Sequence, residues 1–227
     1  MSAVSKAPAP VRDSAPELRF AVATAEPLRH AATPTLKFGL EIEAPGGQAI
    51  RSLLLDVQIQ IAARRRGYAA RAQEQLLELF GTPERWPSTL RTLPWLRATL
   101  VVPPFTGASL AELSVPCTYD LEVAAARYLA ALEDGEIPLE FLFSGSVFYA
   151  APDGRLQMAR IPWDHDVAFA MPVDVWRRTM DAHFPASAWL RVGRDSYDAL
   201  CAYKARHAFE SWEATIEALL HPGSEAP

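Results

Sequence analysis

The sequence predicts an α+β fold, in which an antiparallel β-sheet or sandwich in the N-terminal and middle parts has C-terminal α-helices packed against it. Apolar and polar residues alternate from 18 to 61, the connections there are too short for helical crossovers, and the last part of the chain has a helical period. We expect a single α+β domain over residues 17–220. A flexible N-terminal arm (1–16), rich in Ala, Pro and Ser, and a disordered tail (221–227) flank it.

Composition excludes several classes of function. The chain has 227 residues, and its 22 Lys and Arg are outnumbered by 27 Asp and Glu, whereas nucleic-acid-binding domains usually have a basic face. Nucleic acid is therefore not an expected partner. No apolar stretch reaches the roughly 18 residues of a membrane span, and the N-terminus lacks the apolar core of a signal peptide, so we expect a cytoplasmic protein.

The cysteine count argues against structural thiol chemistry. Cys117 and Cys201 are the two cysteines of the sequence, too few for a disulfide framework or a four-thiolate metal site. We predict no metal and no cofactor.

The strands are predicted from alternation with a period of two. Three early strands cover 18–22, 36–42 and 53–61, with a turn at 45–47 between the second and the third. Further strands follow at 95–102 and 110–115, around a Pro-Pro-Phe-Thr-Gly turn. The aromatic segment 137–149 then forms a hairpin with 155–161 across the turn at 152–154.

The helices are predicted from apolar residues that share one helical face. Such a face occurs at 69–80, where Gly81 and Pro83 end the helix, and 86–94 is loop-like. Residues 119–132 fit a helix or a strand. Three C-terminal helices are predicted, from Pro172 to about Phe184, at 194–207 and at 211–220, with Asp195 and Ser211 as plausible caps of the last two.

The densest polar feature is the Trp163–Asp166 loop, which contains Asp164, His165 and Asp166. Neighbouring Asp and His side chains can bind a metal or act as acid and base. Neighbours on a loop point in different directions, however, and a complete metal site needs ligands from elsewhere. The other interpretation, a turn with capping aspartates and a packed Trp163, is favoured.

Two further segments have residue types that occur in nucleophiles. Cys117 requires a partnered base and a depressed pKa to act as a thiol nucleophile, and Pro116 and apolar neighbours favour a buried thiol instead. The Ser144-Gly145-Ser146 run lacks the Gly-x-Ser-x-Gly elbow. Gly145 is better explained by a bulge or by close backbone packing in a strand.

The candidate interface consists of three tryptophans and two cations. Trp86, Trp95 and Trp163 stand beside prolines in segments that read as loops, and exposed aromatic residues are typical of protein interfaces. Packing under loops is the alternative. Lys204 and Arg206 would provide a cationic helix face for an acidic partner, or a solvated one.

Several runs of the sequence carry a resemblance to a known family: PCTYDLEV (116–123), RYL (127–129), LEDGEIPL (132–139), LFSGSVF (142–148), PWD (162–164) and YKARH (203–207). With them, the chain from about 18 to 220 resembles an uncharacterised bacterial family with a domain of unknown function, often encoded beside high-affinity, actinobacterial-type NiFe-hydrogenase genes. The resemblance implies an accessory or assembly role with hydrogenase subunits as partners, and it transfers no catalytic residue. In fold alone, the early strands also resemble the sheet of SecB-type export chaperones.

Three functions follow from these observations. The favoured one is a non-catalytic accessory or interaction protein with a protein partner, for which the resemblance implies a NiFe-hydrogenase. A metal- or thiol-dependent enzyme using the Trp163–Asp166 loop or Cys117 is the second. The third is a small-molecule binding module within the β-sandwich, which would need a large apolar pocket lined by Phe141, Phe143 and Phe148.

Overall fold

Two antiparallel sheets form the centre of the computed structural model, which describes residues 15–118, 120, 123–185, 187 and 191–221. The strands are β1 (Arg19–Pro27), β2 (Thr35–Ala44), β3 (Ile50–Ile61), β4 (Leu93–Val102), β5 (Gly107–Pro116), β6 (Glu136–Ala150) and β7 (Leu156–Pro172). Their order is β1-β2-β5 in the three-stranded sheet and β4-β3-β6-β7 in the four-stranded sheet. The predicted α+β, sandwich-like class is confirmed.

The inner face of each sheet follows from the alternation in its sequence. On β2 the large buried apolar side chains are Leu36, Phe38, Leu40 and Ile42. On β3 every second residue from Leu53 to Ile61 is fully buried. Because successive side chains of a strand point to opposite faces, each strand contributes one apolar row to the core and one row to the outer face.

Aromatic rings join the two sheets across the core. Phe20 of β1 stacks on Phe143 of β6 with ring centroids 4.7 Å apart. Phe38 of β2 meets Phe141 of β6 edge to face at 5.1 Å. Such pairs add about 0.5–1.5 kcal/mol each to the burial of the rings. The two pairs therefore help to fix the position of one sheet on the other.

The turn at 45–47 connects different sheets rather than neighbouring strands. β2 pairs with β1 and β5, whereas β3 pairs with β4 and β6. The alternation predicted both strands correctly, and the predicted class left open whether they belong to one sheet or to the two sheets of a sandwich. Both strands have one fully apolar row to bury, and facing each other across the core buries both rows.

The helices are α1 (Ala70–Gln75), α2 (Leu77–Phe80), α3 (Trp86–Thr89), α4 (Ala124–Ala130), α5 (Val173–Asp181), α6 (Arg194–Arg206) and α7 (Trp212–Leu220). The helix predicted at 69–80 is interrupted at Leu76, and the segment predicted as loop from 86 contains α3. The ambiguous segment 119–132 contains α4, while 119, 121 and 122 lie outside the described residues. α5 packs against β1.

The chain divides into two compact units, Met1–Ala188 and Trp189–Pro227. The first contains both sheets and α1–α5, and the second contains α6 and α7. Ser211 caps α7 as predicted, since its Oγ accepts a hydrogen bond from the Ala214 N–H at 3.0 Å. Asp195 does not cap α6: Gly193 holds that position, without a side-chain hydrogen bond.

The predicted arm and tail fall almost entirely on residues 1–14 and 222–227, which lie outside the described residues. Over the part of the chain that is described, no helix is both long and apolar enough to cross a membrane.

Candidate functional site

The segment predicted as the Trp163–Asp166 loop is part of β7, an edge strand of the four-stranded sheet. Phe143 pairs with His165 and Gly145 with Ile161, so three residues of β7 stand opposite Ser144 alone. This insertion is a β-bulge. Pro162 lies within it, where a residue without a backbone N–H breaks no hydrogen bond of the sheet. The prediction of a turn with a packed tryptophan is therefore wrong: Trp163 is 84% exposed.

The strand separates the three polar residues that the sequence places side by side. His165 is half-buried, and its ring lies edge-on to Phe20, with centroids 5.4 Å apart. Asp164 and Asp166 are exposed, and Asp166 pairs in register with Leu142. Within the described ranges, no group of three or more His, Cys, Asp or Glu side chains could hold a metal ion. The arrangement does not assemble an acid–base or metal centre here.

Gly145 follows Ser144, the residue opposite the bulge, and has no room for a side chain. Its φ is +137°, and a Cβ at this position would lie 2.0 Å from the backbone oxygen of Leu54. The neighbouring strand β3 therefore approaches β6 too closely for any side chain. The expectation of close backbone packing at Gly145 agrees with this geometry, and Ser144 and Ser146 are ordinary half-buried strand residues.

A shallow depression of about 210 Å³ lies on the outer face of the four-stranded sheet, the face turned away from the other sheet. It is lined by Asp56, Gln58, Arg97, Leu142, Phe143, Ser144 and Trp163. At one side Arg97 Nε donates to both carboxylate oxygens of Asp56, at 2.8 and 3.0 Å. These hydrogen bonds lower the pKa of Asp56 from the ordinary value of 3.8, so this side of the depression carries a fixed ion pair.

Exposed apolar side chains continue along this outer face. Leu54 of β3 stands directly opposite Val101 of β4, and Met158 of β7 stands opposite the half-buried Phe148 of β6. We define the outer-sheet patch as the large exposed apolar residues of this face: Leu54, Val101, Leu156, Met158 and Trp163. Large apolar side chains that remain exposed on one face of a sheet are typical of an interaction site.

Sequence reasoning identified Trp163 in this patch and missed the other four members. The signal was present for one of them, because Leu54 is an apolar residue on the polar side of an alternating strand, beside Asp56 and Gln58. For Val101 and Met158 the alternation is too irregular to assign a face without the strand register.

The other candidate interface residues are not part of this surface. Trp86 is buried, and its Nε1 donates to the Gly81 carbonyl at 2.9 Å, so its predicted exposure is wrong. Trp95 lies half-buried in β4, edge-on to Phe38 at 6.3 Å. A tryptophan next to a proline can thus be core as readily as surface, since each indole here finds an apolar neighbour.

Lys204 and Arg206 lie on α6, in the second unit. Lys204 Nζ stands 5.9 Å from the ring centroid of Trp212 and donates to the Phe209 carbonyl. Arg206 is exposed, and its Nε donates to the Ala202 carbonyl at 3.4 Å. Both cations lie near the C-terminus of α6, where the helix dipole favours them.

Cys117 follows β5 and is buried. Burial raises the pKa of its thiol to about 12, and its Sγ donates to the Val115 carbonyl at 3.6 Å. A thiol with this pKa is protonated at neutral pH, so it is not poised as a nucleophile. The adjoining apolar cavity of about 150 Å³ is half of the roughly 300 Å³ at the lower end of small-molecule sites.

The three phenylalanines proposed to line a ligand pocket do not face one another. Phe141 and Phe143 are fully buried within the ring cluster between the sheets. Phe148 is half-buried on the opposite face of the same strand, across from Met158. The interior at Phe141 and Phe143 is therefore filled by side chains rather than open to a ligand.

Comparisons with known proteins give a family and distant structural similarities. A family profile described as "Family of unknown function (DUF6084)" matches residues 15–227. No curated protein matches the sequence.

Among solved structures, the putative ApaA protein from Bordetella pertussis is similar at 13% identity over 69% of this chain and 95% of that chain, with a TM-score of 0.28. The CARDB domain of the PF1109 protein from Pyrococcus furiosus, solved in complex with di-metal ions, is similar at 9% identity over 69% of this chain and 92% of that chain, also at 0.28. A β-glucosidase from Kluyveromyces marxianus is similar at 7% identity over 69% of this chain and 15% of that chain, at 0.24. At these TM-scores the similarities carry no argument about function.

Proposed function

We propose that this chain, which belongs to the DUF6084 family of unknown function, is a non-catalytic accessory protein that binds another protein through the outer-sheet patch. The observation that carries the proposal is Trp163, which is 84% exposed on a bulge of an edge strand. Tryptophan is the residue type most enriched among side chains that dominate binding energy at protein interfaces.

The energy available at this one side chain is large. A tryptophan has up to about 250 Å² of surface, so burying the exposed part on a partner would contribute about 5 kcal/mol before the costs of association, at about 25 cal/mol per Å². A monomer gains nothing in stability from leaving this ring in water. The bulge that projects it away from the sheet is thus better explained by binding than by folding.

The surroundings of Trp163 have the composition of an interface. Leu54, Val101 and Met158 supply an apolar centre, and the Asp56–Arg97 ion pair lies at the depression beside the ring. Arg160, Asp164 and Asp166 of β7 are exposed near this centre. An apolar centre with a polar rim is the usual anatomy of a specific protein–protein contact.

The partner that we propose is a subunit of a NiFe-hydrogenase, whose assembly or stability the chain would assist. The support for this finer proposal is the sequence resemblance given above, and it is independent of the patch. The experiment must therefore separate the surface from the identity of the partner.

Site-specific photo-crosslinking in the native cell does so. A photoreactive amino acid at Met158, inside the patch, is compared with the same amino acid at Leu110, which is 79% exposed on the three-stranded sheet. We expect hydrogenase subunits to be crosslinked from position 158 and not from position 110. A different protein crosslinked from 158 would overturn the hydrogenase partner and retain the surface; no crosslink above the level at 110 would overturn both.

Affinity then tests the contribution of the ring. With the partner purified, Trp163→Ala should weaken binding at least 10-fold, since truncation of a central aromatic residue costs more than about 1.4 kcal/mol. Leu110→Ala is the matched control and should change the affinity less than 2-fold. Equal effects of the two substitutions would contradict the assignment of Trp163.

A further inference from the structure

The second unit consists of two helices that have no apolar core of their own. Among the described residues of this unit, Thr215 is the one buried side chain. Trp212, Ile216 and Leu219 of α7 follow one another at the spacing of a single helical face, and all three are exposed. Leu220 beside them is 70% exposed. Most helices in proteins are stabilised by packing an apolar face against another element, so we expect another element to cover this face.

The contacts between α6 and α7 leave most of this face uncovered. The ring of Tyr197 lies 5.9 Å from that of Trp212, and Lys204 Nζ lies 5.9 Å from the centroid of the same indole. These contacts are concentrated at the first residue of α7. Ile216 and Leu219, one and two turns further along, are 45% and 43% exposed.

The charges of the two helices are of opposite sign. The C-terminal half of α6 carries Lys204 and Arg206, and no acidic residue. α7 carries Glu213 and Glu217, and no basic residue. Within the described residues of this unit, no ion pair joins one helix to the other. The basic part of α6 and the acidic residues of α7 can therefore pair with a surface that carries the same two kinds of charge.

The exposed apolar area is close to what a dimer needs. Five side chains of the two helices contribute to it: Tyr197, Trp212, Ile216, Leu219 and Leu220. Together they expose on the order of 500 Å², given about 150–250 Å² for each complete large side chain. A stable dimer buries about 800 Å² on each partner, of which more than half is apolar.

We infer that a second copy of this chain covers this face, so that α6 and α7 of two copies form a four-helix bundle. In this bundle α7 of each copy lies against the C-terminal half of α6 of the other copy. The apolar stripes meet in the centre, and Glu213 and Glu217 of one copy face Lys204 and Arg206 of the other. A two-fold contact of this kind uses the same surface on both copies.

Molecular mass in solution tests the contact on the full chain. The chain of 25.0 kDa should sediment as a dimer of about 50 kDa, and Ile216→Asp should raise the dimer dissociation constant at least 100-fold. Leu110→Asp, on the three-stranded sheet, is the control and should remain dimeric. A monomeric wild-type chain, or a dimer abolished by Met158→Asp and kept by Ile216→Asp, would overturn the inference. Circular dichroism identifies any variant that has failed to fold.

A charge-complementation experiment distinguishes contacts between copies from contacts within one copy. In the first variant, Lys204→Glu and Arg206→Glu make both helices acidic; in the second, Glu213→Lys and Glu217→Lys make both basic. Each variant alone should be monomeric, because like charges meet in its homodimer. An equimolar mixture should form a heterodimer, since both contacts then join opposite charges. Failure of the mixture to associate would contradict pairing of α6 with α7 between copies.

Discussion

The outer faces of the two sheets differ, although their inner faces are built alike. On the three-stranded sheet Lys37 bridges Glu26 at 2.8 Å and Glu112 at 3.0 Å. Glu41 lies further along the same face, opposite the large apolar residue Leu110. On the four-stranded sheet the corresponding face holds the outer-sheet patch.

The difference separates what folding requires from what it leaves free. Both inner faces must be apolar, because together they form the core. Neither outer face has to be, and the charged ladder on the three-stranded sheet shows how such a face avoids association. The apolar residues on the outer face of the four-stranded sheet are thus not explained by folding. We therefore explain them by binding.

Two substitutions on β6 have the largest expected effects, and the first is at Gly145, where the β3 backbone leaves no room for a side chain. Gly145→Ala should lower the free energy of unfolding by about 3 kcal/mol or more, because the added Cβ would meet the Leu54 oxygen at 2.0 Å. Gly154→Ala is the control: its φ is +81° and no atom lies within 4 Å of the added Cβ, so about 1 kcal/mol is expected. Urea unfolding measures both. Similar losses for both variants would show that β3 can move away from β6.

Two phenylalanines of β6 compare the inner face with the outer face directly. Phe143→Ala removes a fully buried ring that stacks on Phe20, and should cost about 3–5 kcal/mol. Phe148→Ala, on the outer face of the same strand, should cost less than half as much, since its ring is only partly buried in the folded chain. The midpoint of urea unfolding gives both values. A larger loss at Phe148 would mean that the outer face contributes to folding, and would remove the contrast.

The sequence predicts the inner faces well because burial imposes a period of two on every core strand. The rows from Leu36 to Ile42 and from Leu53 to Ile61 are visible without a structure. Which strands pair is not visible: the turn at 45–47 joins two predicted strands, and in the structure these strands lie in different sheets. Alternation fixes the face of a side chain but carries no information about its neighbours in the sheet.

One residue of the outer-sheet patch could be predicted from the sequence. Trp163 was suspected because it adjoins a proline, yet the same reasoning gave Trp86, whose indole N–H is satisfied in the interior. Aspartates next to a histidine suggested chemistry at 164–166, but a strand sends neighbours to opposite faces. The outer-sheet patch is formed by residues of β3, β4 and β7, so it can be recognised only once the strand register is known.

The apolar character of the patch should be measurable without a partner. Replacement of both Leu156 and Met158 by Lys should reduce binding of a hydrophobic dye by at least half, while the free energy of unfolding changes by less than about 0.5 kcal/mol for each exposed site. Leu110→Lys, the matched change on the three-stranded sheet, should leave dye binding unchanged. An equal reduction at Leu110 would show that the two outer faces are equivalent to a ligand.

The smallest effect concerns the ion pair of Asp56 with Arg97, at the edge of the depression. Hydrogen bonds from Arg97 lower the pKa of Asp56 in the folded chain from the ordinary 3.8. The ion pair therefore stabilises the fold above that pH, and this contribution is lost as the pH falls through the lowered pKa. Because both side chains are partly in water, we expect Asp56→Asn to cost about 0.5 kcal/mol at neutral pH, and nothing once the carboxylate of the wild type is protonated.

A double-mutant cycle isolates this pair from other effects of the substitutions. Arg97→Gln should cost the same as Asp56→Asn, and the double variant no more than either alone, when unfolding is followed at neutral and at acid pH. Additive losses would mean that the two side chains stabilise the sheet independently. In that case Asp56 and Arg97 would be two independent surface charges. The polar rim of the outer-sheet patch would then contain no fixed ion pair.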